Sequence, residues 1–242
     1  MKNSIGAKNE SGLHRALKFR YAGILGETEA PVGDYVADGV SGDGEIIEVQ
    51  TGSFGPLKTK VPELARRGPV RIIHPVIVNK YIEVFDGEEN KLYRRKSPRK
   101  GNEWDLFKAL LYAPELPLIP GLCIELALVD VREKRVADGG GSWRRKGQRI
   151  AGRELAAWRG AVLLNSPEDY RRFIPFAAGE RFTVNDLREK ARIPRPLAAK
   201  ALYVLYKMGL VMREGKKRNA WVYRLREERE RVKRQDTKTS EN

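Results

Sequence analysis

The chain has 242 residues, of which 41% are hydrophobic, enough to fill the core of one large domain or two modest ones. This composition excludes an intrinsically disordered protein. The formal net charge is +15, and such a positive field attracts polyanions, nucleic acid before anything else. The single cysteine, Cys123, excludes an intramolecular disulfide. That cysteine usage makes a reducing cytoplasm the expected compartment. No apolar run reaches the roughly 18 residues of a spanning helix, so we expect a soluble protein without a membrane partner.

Residues 1–90 predict an α/β fold in which a mixed sheet is flanked by helices. Leu13, Leu17 and Tyr21 recur every four residues, which indicates one face of a helix. The predicted elements, in chain order, are a helix over 9–22, strands over 31–40 and 45–51 joined by the turn SGDG, a helix over 54–68, and strands over 70–78 and 80–85.

Residues 91–165 are predicted to form a basic extension and connector. Their polar start, KLYRRKSPRKG, is typical of a loop or hairpin rim. A helix over 103–113 and a strand over 122–132 follow. The segment VADGGGSWRRKGQRI then has the glycine density of a turn or flexible connector.

Residues 166–227 predict a winged helix-turn-helix. Helices are expected over 167–176, 183–193 and 195–209, followed by two strands around a basic turn at 214–219. Thr183 is the expected N-cap of the second of these helices. The predicted inward stripe of the third helix comprises Leu197, Ala201, Leu205 and Met208. The charged tail over 228–242 is expected to fray or to be disordered.

The most informative segment is the hairpin DYVADGVSGDGEIIEVQTG. Side chains alternate along a strand, so Asp34 and Asp38 are expected to share one face, and Glu48 and Gln50 a face of the partner strand. Centring the turn on Asp43 places Asp38 opposite Glu48, with Cβ atoms about 4.5–5.5 Å apart. Two carboxylates at about 5 Å repel by roughly 3 kcal/mol at an effective dielectric near 20. Some other group must offset this repulsion.

A divalent cation is the simplest candidate for that group. Mg²⁺ prefers one or two carboxylates and keeps water on its remaining positions. Such an ion supplies what phosphodiester hydrolysis requires. The alternative is an exposed hairpin whose acids are solvated, or one acid that pairs with an Arg. Asp34, a full repeat from the pair, is then a residue at the start of the strand or an outer-shell group.

Several strings together resemble the PD-(D/E)XK superfamily of restriction-endonuclease-like nucleases, in a branch with Glu-x-Gln in place of Glu-x-Lys. They are NESGLHRALKFRYAG, YVADGV, GEIIEVQTGSF, LKTK and VRIIHPVIV. The whole chain, including GSWRRKG and the C-terminal winged helix, resembles a prokaryotic family with this core. The superfamily signature is a helical Glu, an Asp on the first hairpin strand and Glu-x-Lys on the second.

The resemblance assigns a role to each matching residue. It implies that Asp38, Glu48 and the backbone carbonyl of Val49 bind Mg²⁺ or Mn²⁺. It implies that Glu10 orients a metal-bound water or assists a second ion. Gln50 would hold the nucleophilic water or the scissile phosphate.

Gln50 departs from the superfamily pattern. A lysine there supplies positive charge to the transition state, whereas a neutral amide only forms hydrogen bonds. Lys58 or Lys60, on the following helix, could restore that charge; alternatively, the site is weakened or inactive. His14, one turn after Glu10, either lines the site or is a hydrogen-bonded structural histidine.

The predicted winged helix carries the candidate DNA-binding residues. Basic side chains on a recognition helix and wing suit phosphate contacts in and beside the major groove. These residues are Arg195, Lys200 and Lys207 on the helix and Arg213, Lys216, Lys217 and Arg218 on the wing. The helix contains no Asn or Gln to read adenine, which predicts limited sequence selectivity. The alternative is that this region mediates dimerisation or a protein contact.

The resulting hypothesis is a Mg²⁺-dependent DNA endonuclease that a winged helix positions on double-stranded DNA. One alternative is a DNA-binding regulator or structural factor with a degenerate nuclease core. Another is an RNA-processing enzyme, which competition between DNA and RNA at fixed salt would distinguish. The resemblance also admits a homodimer, for which the sequence locates no interface.

Overall fold

The computed structural model describes residues 11–22 and 26–226. Within them the fold is mixed α/β, as predicted, with a mixed sheet flanked by helices. The α-helices are α1 (Gly12–Ala22), α2 (Leu57–Ala65), α3 (Leu106–Leu110), α4 (Val184–Ala191) and α5 (Arg195–Lys207). The strands are β1 (Glu27–Val32), β2 (Tyr35–Val40), β3 (Ile46–Val49), β4 (Val70–Phe85), β5 (Lys91–Lys96), β6 (Leu122–Val136), β7 (Arg149–Leu164), β8 (Arg181–Phe182), β9 (Val211–Lys217) and β10 (Ala220–Leu225).

The chain divides into two compact units. The first falls within residues 1–51, 67–103 and 124–163, and the second within 52–66, 104–123 and 164–242. None of the helices described at residues 11–22 and 26–226 has the length and apolar character needed to cross a bilayer.

A seven-stranded sheet forms the first unit, in the order β1-β2-β3-β4-β6-β7, with β5 also paired to β4. The pairs β1–β2 and β2–β3 are antiparallel, and β3 runs parallel to β4. Helix α1 packs its predicted apolar face against this sheet, because Leu13 and Leu17 join Ile47, Val49 and Ile73 in one buried cluster. Burying a leucine of this kind contributes roughly 1.5–3 kcal/mol.

The predicted strand over 31–40 is wrong in one respect, because it is interrupted. Gly33 and Asp34 form a tight turn between β1 and β2. Gly33 adopts a φ of 62°, which glycine tolerates and most residues avoid. Asp34 therefore lies in the turn and not on the same strand face as Asp38.

The sheet also extends further than predicted. The two strands expected over 70–78 and 80–85 form the single 16-residue strand β4. The segment expected to be a loop or hairpin rim is the second strand of a hairpin, β5, whose six residues are all exposed and which pairs antiparallel with β4. The glycine-rich segment around 136–150 is a turn, as predicted, but it is followed by the 16-residue strand β7 of the same sheet.

The second unit contains α4, α5 and a three-stranded sheet in the order β8-β10-β9. Thr183 caps α4 as predicted, because its side chain accepts hydrogen bonds from the backbone N–H groups of Asn185 and Asp186. The predicted inward stripe of α5 is confirmed: Leu197, Ala201, Leu205 and Met208 are all buried. The helix predicted over 167–176 is instead a 3₁₀ helix, Pro167–Phe173.

The C-terminal hairpin has a shorter turn than predicted. Strand β9 continues to Lys217, which pairs with Ala220, so that only Arg218 and Asn219 form the loop. Arg218 has a positive φ of 55°, as two-residue hairpin turns require. Lys216, Lys217 and Arg218 are all exposed at this end of the hairpin.

Candidate active site

The candidate site lies where β2 and β3 pair. Gly39 is opposite Ile47, and Val40 is opposite Ile46. These two pairs have the register that the sequence predicted, and the ladder between β2 and β3 ends with them, one step before Asp38 and Glu48. Glu48 is 3% exposed, because its strand lies between β2 and β4 in the interior of the sheet. Asp38 is half-buried on β2, and Glu48 is buried on the neighbouring strand β3.

Asp38 is held by groups from two elements. The backbone N–H of Val49 donates to its Oδ2 at 2.8 Å, and His14 Nε2 lies 3.2 Å from the same oxygen. Lys18 Nζ lies 3.6 Å from Oδ1. Burial alone would raise the pKa of Asp38, but the hydrogen bonds from His14 and Val49 and the charge of Lys18 lower it overall. Asp38 is therefore a carboxylate at neutral pH.

Helix α1 supplies the cationic side of this region. His14 and Lys18 are one helical turn apart, so that both reach Asp38. Lys18 is 5% exposed and also forms an ion pair with Glu29. Sequence reasoning missed Lys18, although its position four residues after His14 could have indicated it. Glu10, one turn before His14, lies outside the described residues.

The end of β3 is fixed by β4. The backbone N–H of Gln50 donates to the carbonyl of Ile73 at 2.9 Å. His74 is 7% exposed, and its Nδ1 lies 2.7 Å from the carbonyl oxygen of Gln50; because a carbonyl only accepts, Nδ1 carries the proton of this hydrogen bond. Gln50, two residues after Glu48, thus has both backbone groups anchored beside the acidic pair.

The other candidate lysines belong to the second unit. Lys58 is exposed on α2, and Lys60 is half-buried on the same helix. Within the first unit, Lys18 is a cation placed close to Asp38. Both α2 lysines remain candidates from the sequence.

Carboxylate and carbonyl oxygens are the donor types that a hard divalent cation prefers. Mg²⁺ is commonly held by one or two carboxylates together with substrate phosphate oxygens and water, and Asp38 and Glu48 provide two. The carbonyl of Val49 is the third donor that the resemblance implies. Over residues 11–22 and 26–226, no group of three or more His, Cys, Asp and Glu side chains is placed to hold a metal. A bound ion would therefore depend on carbonyl, water or phosphate oxygens as well.

The second unit carries the predicted basic surface. On α5, Lys200, Tyr203 and Lys207 lie at spacings that share one helix face, and Tyr203 and Lys207 are exposed. Arg195 is exposed at the start of this helix, and its Nε donates to Asn185 Oδ1 at 3.2 Å. A cavity of about 430 Å³ lies beside the hairpin and is lined in part by Arg181, Lys216 and Lys217.

Arg213 is placed differently from the other hairpin cations. Its guanidinium lies 4.4 Å from the ring centroid of Tyr206 on α5 and 4.6 Å from that of Trp221 on β10. Tyr223 flanks it at 5.7 Å. Arg213 therefore connects the hairpin to α5 through cation–π contacts. The overall aromatic content of 8% is unremarkable and gave no indication of this group of rings.

These features define a mixed α/β protein with carboxylates on two neighbouring strands of its first unit and a basic helix and hairpin in its second unit. Residues 11–165 match Domain of unknown function DUF8091, and the chain belongs to this family. The matched residues include the whole acidic region described above and end before α4 and α5.

One relative is an uncharacterized protein of Treponema pallidum (strain Nichols), 29% identical over 168 residues. The alignment covers 69% of this chain and 64% of the relative, so that the chain spans less than two thirds of that protein's length. No solved structure matches the chain.

Proposed function

We propose that this protein is a metal-dependent deoxyribonuclease with a restriction-endonuclease-like core. The observation that carries the proposal is the β2–β3 register, Gly39 with Ile47 and Val40 with Ile46, which supports the expected Asp38–Glu48 pair, together with the contact between Asp38 and His14 of α1. The element order supports it: α1, three antiparallel strands, α2, and then β4 parallel to β3. This is the order in which the resembling strings place the superfamily's helical and strand residues.

Each residue has a distinct task in the proposed reaction. Asp38 and Glu48, with the carbonyl of Val49, would hold Mg²⁺, which when bound lowers the pKa of water and neutralises a phosphoryl oxygen. The Val49 N–H and His14 keep Asp38 oriented and ionised. Lys18 offsets part of the negative charge that would otherwise repel the phosphate backbone. Gln50 orients water or phosphate by hydrogen bonding, and Glu10 acts as the resemblance implies.

A plasmid-nicking assay across divalent ions tests this proposal. The protein should convert supercoiled plasmid to the open circular form with Mg²⁺ or Mn²⁺ and should leave it intact in excess EDTA. Plasmid that stays supercoiled with every divalent ion tried would contradict the nuclease assignment.

The same proposal makes the second unit a winged helix that binds duplex DNA. Helices α4 and α5 followed by the β9–β10 hairpin, with β8 completing a small sheet, support this interpretation. Helix α5 would lie in the major groove with Lys200 and Lys207 towards the phosphates. Lys216, Lys217 and Arg218 at the hairpin end would contact the adjacent backbone.

Neutralising Lys216, Lys217 and Arg218 to Gln should weaken duplex binding and reduce its salt dependence. Each lost phosphate contact lowers the slope of log K against log salt by about 0.9. Fluorescence anisotropy over a salt series measures both effects.

The control replaces three cations that already pair with carboxylates, Arg66, Lys91 and Lys108. It removes the same charge and should change the slope little. An equal slope in the hairpin variant and the wild type would remove the hairpin from the DNA interface.

A second candidate function is DNA binding without catalysis. It is favoured by Lys18, whose position 3.6 Å from Asp38 offsets the acidic charge with a cation of the chain itself, and by Gln50 in the position of a lysine. Calorimetric titration with Mn²⁺ separates the two functions. A heat of Mn²⁺ binding that is seen with the wild type and disappears in the Asp38→Asn variant supports the nuclease. The absence of a binding heat with the wild type supports the DNA-binding protein without catalysis.

A further inference from the structure

The turn between β6 and β7 presents one aromatic side chain to solvent. Trp143 is 83% exposed, the highest value among the large hydrophobic side chains that the described residues expose. It lies at the end of two long strands of the first unit. Covering this indole surface with another molecule would be favourable, because it removes apolar area from water.

The turn itself is well braced by hydrogen bonds. The Gly141 N–H donates to the carbonyl of Gly147 at 2.8 Å, and the Gly147 N–H donates to the carbonyl of Ser142 at 3.2 Å. Arg145 Nε donates to the carbonyl of Gln148 at 3.2 Å. A Cβ at position 141 would lie 1.9 Å from that same carbonyl oxygen, so only glycine permits the close approach. Trp143 is therefore displayed on a defined backbone and not on a loose loop.

Positive charge surrounds the indole. The Arg144 guanidinium lies 5.5 Å from the ring centroid of Trp143, and both Arg144 and Lys146 are exposed. In the part of the chain that the structure describes, neither of these two cations forms an ion pair. Their charge is thus directed to solvent and available to an anion.

Strand β5 adds to this surface. Gln148 Nε2 donates to the hydroxyl of Tyr93 at 2.8 Å, which joins the turn to β5 within the same unit. Tyr93 is 43% exposed, and Arg95 is exposed two residues further along the strand. We name Tyr93, Arg95, Trp143, Arg144 and Lys146 the turn surface.

The chemistry of the turn surface favours nucleic acid over a membrane or an apolar protein partner. Among the described residues of the turn surface, the exposed rings are those of Trp143 and Tyr93, which offer too little apolar area to hold a bilayer. Stacking on a base needs only one ring, since every base offers a π face. The exposed cations beside that ring match the phosphates that flank a base.

We propose that the turn surface binds an unpaired stretch of nucleic acid, with Trp143 stacked on a base and Arg144 and Lys146 against the neighbouring phosphates. This inference rests on the proposed function, since it narrows the substrate of the same nuclease unit to DNA with an unpaired segment. The bases of intact duplex are stacked on each other and do not offer a free face to Trp143. Single strands, flaps and gaps do.

The test measures binding of the full chain to a labelled oligo-dT strand and to a duplex of equal length, in EDTA so that no cleavage occurs. Trp143→Ala should weaken single-strand binding by about 5- to 150-fold. Trp143→Phe, which keeps a stacking ring, should restore most of the loss. Duplex binding by either variant should remain close to that of the wild type.

A second variant tests the charges separately. Replacing Arg144 and Lys146 by Gln should lower the salt slope for the single strand by roughly 0.7 per cation removed. The matched control is Tyr112→Ala, which removes another exposed aromatic side chain, 64% exposed in the second unit. This control should bind the single strand as the wild type does.

Three results would overturn the inference. The first is single-strand affinity in Trp143→Ala equal to that of the wild type, and the second is an equal loss of single-strand affinity in Tyr112→Ala. The third is binding to phosphatidylserine vesicles that depends on Trp143, with no binding to the oligonucleotide. Failure of the nuclease proposal is distinct from all three. It would appear as an absence of metal-dependent nicking while the Trp143-dependent binding in EDTA persists.

Discussion

Asp38→Asn and Glu48→Gln should each abolish metal-dependent cleavage of plasmid DNA. Substituting a residue that only orients a metal ligand typically lowers metal affinity or activity 10- to 100-fold. Substituting a ligand itself should therefore lower the cleavage rate by more than about 100-fold. Both substitutions preserve side-chain size and remove the negative charge that a cation requires. Nicking rates at saturating Mg²⁺ and Mn²⁺ measure the effect, and anisotropy should show that duplex binding is retained.

The matched control is Asp43→Asn in the turn of the same hairpin. Asp43 lies five residues after Asp38 and is exposed. Its carboxylate accepts a hydrogen bond from the hydroxyl of Ser41. Its replacement removes one carboxylate of the hairpin without touching the β2–β3 pairing and should leave nicking intact. Cleavage that survives in both Asp38→Asn and Glu48→Gln would show that the acidic pair is not the catalytic centre.

Glu133→Gln should destabilise the first unit by about 3–5 kcal/mol, the cost of leaving one partner of a buried ion pair uncompensated. Glu133 on β6 is fully buried, and Arg135 Nε donates to its Oε1 at 2.9 Å. Arg153 Nε donates to the second carboxylate oxygen, Oε2, at 2.9 Å. The free energy of unfolding from urea denaturation measures the loss. In the control, Glu154→Gln removes an exposed partner of Arg132 and should change stability by less than about 1 kcal/mol.

The effect of Glu133 should depend on pH. Burial alone would raise the pKa of Glu133, but the hydrogen bonds from Arg135 and Arg153 and the charge of Lys80 lower it below its ordinary value of 4.5. A carboxyl with a lowered folded-state pKa stabilises fully above the unfolded-state pKa and loses that contribution as pH falls through the folded-state pKa. The stability difference between wild type and Glu133→Gln should therefore be constant near neutral pH and shrink below about pH 4. A difference that grows on acidification would contradict this account.

The register of the acidic hairpin was predictable because two local rules agree on it. Side chains alternate along a strand, and a short glycine turn centred near Asp43 fixes which residues face each other. The observed pairs, Gly39 with Ile47 and Val40 with Ile46, follow from these rules alone. The same holds for α4, where Thr183 and Asp186 form a capping box over adjacent residues.

The elements that were missed depend on contacts between distant parts of the chain. Strand β7 contains Gly152 and Gly160, which in sequence resemble breaks, yet pairing at the side of the sheet supports an extended backbone there. Strand β5 is exposed at every residue, so no burial pattern distinguished the predicted hairpin from the predicted loop; its pairing with β4 forms the hairpin. The turn at Gly33 was hidden because the residues on both sides favour strands.

The candidate site was predictable only in part for the same reason. The alternation of residues indicated Asp38 and Glu48, whereas Lys18 came into view only once α1 was seen beside β2. Its Nζ reaches both Asp38 and Glu29, a residue of the strand that the sequence had not separated from β2. A lysine on a helix is usually solvated, so its type alone carried no signal.

The cation–π contacts of Arg213 with Tyr206 and Trp221 affect the conformational entropy that is lost when this region binds DNA. Because one guanidinium lies against rings from both α5 and β10, the tilt of the hairpin relative to the helix is already fixed in the free protein. A binding surface that is preorganised in the free protein loses little conformational entropy when it binds its ligand. We therefore expect α5 and the hairpin to bind a DNA duplex as one rigid unit and to dissociate from it as one unit.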